Sequence, residues 1–515
     1  LSEWVAMGDW RLFFFHRDHI KKVTSADVNR VAAAYLKPSN RTLGQFIPSP
    51  APNRAKIPAK PDIAAMLKNY KGDSAVSVGE AFDPSPNNIE SRVQRLSIGP
   101  NFKVALLPKK TRGGSVFASI NLHFGNEESL MHASATSELT GGMLMRGTTN
   151  HTRQEIQDKF DQLKVRGRVL GNATSATAVF ETVKENLPSV LELVGEILRH
   201  PSFSREEFET LKEEQLANIE QQRNDPQRIA SKAFSRHIKL YPKGHVHYRP
   251  TFDEEIRDIK NTKLEELKQF HRNFYGASQG EVGISGDFKA EKIVGILKKL
   301  FGDWESSLQY KRVKDPYQEI APINRSFETP DKANAVFFAG IVIPIRDDST
   351  EYPSLVLGNY MLGGGFLNSR LALRIRQKEG LSYGIRAYLG ASSKDQRGSL
   401  IVQAITAPQN IEKLESVFLE EVQRVLDDGF TAEELAAAKS GYLQTRQVNR
   451  AQDRTLAGIL ASRLFQERTL IWDEQFENKI AALTNDEILI ALRQYLDPTK
   501  LIIMKAGNFA KAAKN

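Results

Sequence analysis

The sequence predicts an α+β protein built from tandem duplicated domains, each a mostly antiparallel sheet covered by helices on one face, and three observations carry that prediction. Ile20, Val23 and Thr24 leading to Tyr35-Leu36-Lys37-Pro38 return 460 residues later as Ile480, Leu483 and Thr484 leading to Tyr495-Leu496-Asp497-Pro498. Phe203-Ser-Arg-Glu-Glu-Phe208, followed by Lys212 and Leu216, is echoed 227 residues on by Phe430-Thr-Ala-Glu-Glu-Leu435, Lys439 and Leu443. A looser version of the first pattern runs from Ile256 and Ile259 to Phe274-Tyr275. The unit is therefore about 225 to 230 residues, too long for a solenoid turn and right for a domain.

The elements inside each copy follow from local signals. Val116 to Phe124 is a β-branched and aromatic run, read as a strand. Thr152-x-x-Glu155 is a capping box opening a helix with Ile156, Phe160 and Leu163 on one face, and Leu187 to Leu198 is an amphipathic helix stopped before Pro201. Ser204-x-x-Glu207 caps a third helix with Phe208, Leu211, Leu216 and Ile219 inward. The later copy reads as a strand over Ala335–Ile345, a helix over Leu367–Lys378, strands over Ser382–Leu389 and Ser399–Ile405, then helices over Ile411–Leu426 and from Ala432.

These signals divide the chain into the end of a preceding domain (1–48), a linker (49–95), a first complete domain (96–310) and a second (311–515). The linker is read from Pro48, Pro50, Pro52, Pro58, Pro61, Pro84 and Pro86, which cannot continue a helix or a central strand. The start at Leu1 and the lone copy of the domain ending lead us to expect at least one further domain upstream.

Composition narrows the function classes. At 40% hydrophobic and 26% charged residues the chain is ordinary globular material. Its 71 basic and 62 acidic side chains leave +9, scattered in pairs rather than gathered into an aromatic-laced stripe, so no nucleic-acid partner is expected. No run approaches the roughly 18 apolar residues of a membrane span. Zero cysteines removes thiolate metal sites, cysteine nucleophiles and disulfides.

The ten histidines end at His271, so the last repeat has no imidazole to offer a metal. Neither His-Glu-x-x-His nor His-x-x-Glu-His occurs, and the close pairs His245-x-His247 and His16-x-x-His19 read as surface or loop histidines. There is no phosphate-cradling Gly-x-x-x-x-Gly-Lys-Ser/Thr string. Gly363-Gly364-Gly365 is either a loop between helices or a substrate-contacting loop. In Arg376-Gln-Lys-Glu-Gly380-Leu-Ser-Tyr383, Gly380 reads as a helix stop, placing Arg376 in the last turn and Tyr383 at the start of the next strand. Together a guanidinium and a phenol can donate hydrogen bonds to a carbonyl oxygen that gains charge during attack; the plainer reading is a helix-end arginine and a core tyrosine.

The Gly-Leu-Ser-Tyr ending at 380–383, with the glycine-rich stretch and Arg370-Leu371 before it, resembles the insulinase/pitrilysin family of inverted-zincin metallopeptidases. Ser137-Glu-Leu-Thr-Gly-Gly-Met-Leu-Met-Arg-Gly147-Thr148 is similar to that family's zinc-motif helix. The resemblance covers essentially the whole chain. It implies processing-peptidase-like domains, this chain being the carboxy-terminal half of a clamshell, similar to two-half bacterial periplasmic zinc proteases.

Laid on the zinc motif, Glu138 and Gly142 take the histidine positions and Gly141 that of the catalytic glutamate, so no metal is expected on this chain. Glu213 and Glu220 match the distal glutamates and, without the histidines, make at most a carboxylate pair; the second copy has Ser440 where Glu213 would be. Arg376 and Tyr383 match the arginine–tyrosine pair that reaches the scissile carbonyl at the zinc of the other half. The resemblance therefore implies an inactive half that is not active alone. It would provide a chamber wall and carbonyl contacts, with Zn2+ in an amino-terminal partner half and an unfolded peptide as substrate. The alternative is a non-catalytic structural or peptide-binding subunit. Periplasm is the implied location, with a mitochondrial one as the alternative.

Overall fold

The computed structural model describes residues 2–37 and 78–512, which separate into two units. The first contains helices Ser2–Ala6, Arg11–Ile20 and Ser25–Tyr35. Thr24 caps the last of these with a reciprocal capping box to Asp27, and Thr484 caps Asn485–Tyr495 in the same way through Glu487. The repeat seen in sequence is thus also a repeat of helix-start chemistry.

Most of the expected linker lies outside the described residues. Its end, from residue 78, is described. Ser85 caps a helix over Pro86–Arg92, with Pro86 in the first turn, where its missing N–H costs nothing. This helix packs beside Leu470–Ala482, and Arg450 donates to the Pro84 carbonyl at 2.9 Å.

Two sheets organise the second unit. The first contains β1 (Gln94–Ile98), β2 (Phe102–Pro108), β3 (Ser115–His123), β4 (Arg166–Gly171), β5 (Ser175–Val183) and β6 (Gly280–Gly286), in spatial order β1-β2-β6-β3-β5-β4. The second contains β7 (Ile323–Glu328), β8 (Ala335–Ile343), β9 (Ser382–Ala391), β10 (Gly398–Thr406) and β11 (Ile502–Gly507), in order β7-β11-β8-β10-β9. Among the described strands only β2/β6 and β7/β11 pair in parallel, so both sheets are mostly antiparallel. Helices Leu187–Arg199 and Ala290–Phe301 bury their apolar stripes on one face of the first sheet. Helix Ile411–Asp428 does the same on the second, where Phe418 meets Phe337 edge-on.

Along β5 buried residues alternate with half-buried ones, the mark of one covered face, whereas β6, β8 and β11 are buried at every position. The cause is an exchange of helices between the domains. Helix Pro226–His237, from the first, lies on β8 and β11, placing Ala230 and Phe234 against Val336, Phe338, Ile502 and Met504. Helix Asp453–Gln466, from the second, lies on β6, β3 and β2, placing Leu456, Leu460 and Leu464 against Ala105 and Leu107.

Glycine permits the close approach on both sides. A Cβ on Gly283 would sit 2.2 Å from the Ala457 carbonyl oxygen, and one on Gly340 would sit 2.6 Å from the Phe234 ring. Burying the three leucines of the second helix contributes roughly 5 to 9 kcal/mol, as large as the net stability of many whole domains. Lys109 and Ser285 fix that helix's start by reaching Asp453 at 2.9 and 2.8 Å.

The stretch Leu367–Lys378 departs from the expected single helix. It begins as a 3-10 turn over Phe366–Asn368 and becomes π-helical over Ala372–Lys378, where the Glu379 N–H reaches back five residues to the Arg374 carbonyl. Gly380 ends it at φ +63, the left-handed value that favours glycine. Among the described residues no helix is long and apolar enough to cross a membrane.

Candidate functional site

Arg376 stands in the last turn of the π-helical segment and Tyr383 two residues into the following stretch that opens β9, the edge strand of the second sheet. The structure brings them together: the Arg376 guanidinium carbon lies 5.0 Å from the centroid of the Tyr383 ring, within cation–π range. Tyr383 is 88% exposed, which overturns the core-tyrosine alternative. The pair therefore presents a forked N–H donor and a phenolic O–H from one point at the sheet's edge.

The supports around it are ionic. Arg374 pairs with Glu379 and, at 3.2 Å, with Glu420, while Lys413 reaches Glu379 at 3.0 Å. Lys413, ahead of the two arginine and lysine charges nearer in sequence, holds the Glu379 carboxyl below its usual range. One turn earlier Arg370 pairs with Glu434, with the buried Glu421 3.6 Å away. The first domain repeats this brace: Arg146 pairs with Glu207 and Glu214. The Glu207 and Glu434 positions are related by the 227-residue repeat, which marks the braces as structural.

Gly363, Gly364 and Gly365 close a helical turn packed against β9 at Ala387 rather than standing in an open loop. Tyr360–Gly364 is a second π-helical turn, and a Cβ on Gly363 would come within 2.7 Å of the Ala387 Cβ on β9. One on Gly365 would meet the Tyr360 carbonyl at 2.8 Å. Gly363 is buried and Gly364 exposed, so the run chiefly lets a helix settle on the edge strand.

The degenerate zinc motif occupies helix Ser134–Met143. A Cβ on Gly141 would lie 2.3 Å from the Gly171 carbonyl oxygen on β4, and one on Gly142 would lie 3.0 Å from Leu211. The helix has thus settled on β4 where a larger residue would hold it off. Glu138 keeps contact with solvent, yet enough protein surrounds it that its carboxyl is pushed above the usual range, the Glu255 charge adding to the effect and Arg249 and Lys232 offsetting it. Glu213 and Glu220 are exposed, and Glu220 faces Arg223 at 3.6 Å. Among the described residues no group of three or more histidine, aspartate or glutamate side chains could hold a metal. These residues do not fit zinc.

Sequence reasoning missed the exposed face of β9 beyond the pair. Arg386 and Tyr388 project from it, Tyr388 51% exposed, opposite Gln403 and Ile401 of β10. The signal was the alternation Gly384, Arg386, Tyr388 against Ile385, Ala387.

Comparison with known proteins bears on the family and the fold. Residues 261–442 match the family described as "Peptidase M16 inactive domain". The chain is a relative of the M16 peptidases. Among curated relatives it is 20% identical over 325 residues to "Uncharacterized zinc protease YmxG" of Bacillus subtilis (strain 168), covering 63% of this chain and 76% of that one. Among solved structures it resembles the peptidase M16 inactive domain from Pseudomonas fluorescens at TM-score 0.71 and 21% identity, covering 81% of this chain and 97% of that one. It also resembles the periplasmic protease PqqL from Escherichia coli at TM-score 0.66 and 13% identity, over 94% of this chain and 50% of PqqL. The M16 relative thus spans half the length of PqqL, and both structural likenesses establish its fold. The insulinase/pitrilysin resemblance and the α+β prediction both hold.

Proposed function

We propose that this M16 relative is the non-zinc half of a two-half zinc metalloendopeptidase, in which Arg376 and Tyr383 hold the scissile carbonyl of a peptide while the metal is carried by an amino-terminal half. The observation that supports it is the placement of two hydrogen-bond donors at one exposed point of a sheet edge, in a chain whose own zinc-motif glycine is packed against Gly171. The guanidinium and phenol orient the carbonyl and stabilise the oxygen as charge develops on it. The glycine run packs against β9, which carries Tyr383, and β9, an edge strand among the described residues, offers main-chain groups to an extended peptide. The proposed partners are the zinc-bearing half and an unfolded peptide. A periplasmic location is the reading favoured by the name of PqqL.

With the zinc-bearing half present, Arg376→Ala and Tyr383→Phe are each expected to lower peptide turnover by about ten- to a thousandfold, as loss of an oxyanion donor does. Unchanged turnover in both removes the role. A second reading, a structural or peptide-binding subunit, draws support from the same closed motif helix. Under that reading, adding the zinc-bearing half yields no peptidase activity.

A further inference from the structure

β9 does not expose Tyr383 by simple alternation. Ile385 and Ala387, two and four residues on, are buried at 4% and 3%, and an unbroken strand would turn Tyr383 to that same inner face. Instead the β9/β10 register slips: Thr406 pairs with Ser382 and the adjacent Ile405 with Gly384, leaving Tyr383 as the extra residue of a bulge. The slip reverses the faces on its amino-terminal side. Ser382 goes inside, 5% exposed, and Tyr383 comes out beside Arg376.

Two hydroxyls take over the hydrogen bonds that the bulge removes from the ladder. The Ser382 hydroxyl donates to the Ile405 carbonyl at 2.7 Å and accepts the Gly384 N–H at 3.2 Å, with the Gly384 carbonyl a further acceptor at 2.9 Å. Thr406, 4% exposed, donates from its hydroxyl to the Leu381 carbonyl at 2.5 Å. An alanine at 406 would take the hydroxyl from the buried Leu381 carbonyl, and one at 382 would remove the link that ties Ile405 to Gly384 at the turning point of the strand.

We infer that Ser382, seconded by Thr406, is a positioning residue: its hydroxyl holds the bulge that turns Tyr383 out of the core and under Arg376. The inference deepens the reading of the Arg376/Tyr383 pair as a carbonyl-binding site and rests on it for its functional meaning.

The test has two arms. In this chain alone, nitration of Tyr383 by tetranitromethane is followed by mass spectrometry, with exposed Tyr388 as internal reference, alongside amide exchange at Gly384. Ser382→Ala is expected to speed Gly384 exchange and lower Tyr383 nitration relative to Tyr388 by about fivefold, the scale of one lost hydrogen bond. Ser382→Thr, which keeps a hydroxyl, retains both wild-type values, and Thr406→Val, which keeps the side-chain shape, shifts them in the same direction by less. Unchanged nitration and exchange in Ser382→Ala overturn the inference.

In the assembly with the zinc-bearing half, Ser382→Ala lowers kcat with little change in KM, and has no further effect once Tyr383→Phe is present. An equal loss in the Tyr383→Phe background overturns positioning through Tyr383. If Tyr383→Phe and Arg376→Ala both leave turnover intact, the carbonyl-binding reading fails, and nitration and exchange still decide whether Ser382 holds the bulge.

Discussion

His271 gives the fold a pH dependence that a single side chain can be made to report. Its ring packs against Tyr275 at 4.6 Å and Phe203 at 5.5 Å, and its Nε2 lies 2.8 Å from the Leu198 carbonyl. Burial, which outweighs the carbonyl's pull the other way, pushes its pKa from 6.5 down to about 4. Between those values the unfolded chain binds a proton that the folded chain refuses, so this contribution is fully present above pH 6.5 and is lost as pH falls toward 4. At most about 3 kcal/mol is involved. Urea unfolding from pH 7 to 4.5 should show stability declining with acid, and His271→Gln, which cannot titrate, should flatten the decline. A slope identical in the variant would assign the effect elsewhere. At this scale the sequence identified Arg376 and Tyr383 as a pair but left open which way the tyrosine faces. The deciding fact is a one-residue slip between strands, and a slip leaves no trace in the residue pattern of either strand.

Elements were legible where burial is one-sided. The capping box at Thr152 and the cap at Ser204 give their own helix starts, because each depends on neighbours in sequence. The stretch after Gly365 was not legible: its apolar residues fit a helix, and only the packing behind β9 shows that it is wound wide. Glycines in strands were the other silent feature. Gly283 looks like a weakness in β6, yet it is the seat of the exchanged helix, with Ala457 directly above it. Gly283→Val should lower stability by about 1 to 3 kcal/mol or more, seen as a lower urea midpoint at unchanged m-value. Gly295, exposed in a helix and with nothing near its missing Cβ, supplies the contrast. Gly295→Ala should raise stability by roughly 0.5 to 1 kcal/mol. Equal effects at the two glycines would refute the packing argument.

For the molecule as a whole, the repeat offset announced two domains, but an offset cannot say whose sheet a helix covers. The exchanged helices cross the boundary expected near 310. Further ties cross it: Arg312, in the connection, pairs with Asp395 at 2.6 Å and holds that carboxyl below its usual range, and Arg397 donates to the Ile238 carbonyl at 2.8 Å. Expressed separately, 96–310 and 311–515 should each expose an apolar helix and associate or aggregate; mixed, they should form a one-to-one complex by sedimentation. Two independently soluble monomers would contradict this.

The same exchange bears on how such a chain could have arisen. A polypeptide with one copy of the repeat would fold its sheet and then find one helix with nothing beneath it and one sheet face bare. Two such polypeptides, each lending the other its helix about a twofold axis, would satisfy both needs at once. Joining them end to end preserves every contact and removes the concentration dependence.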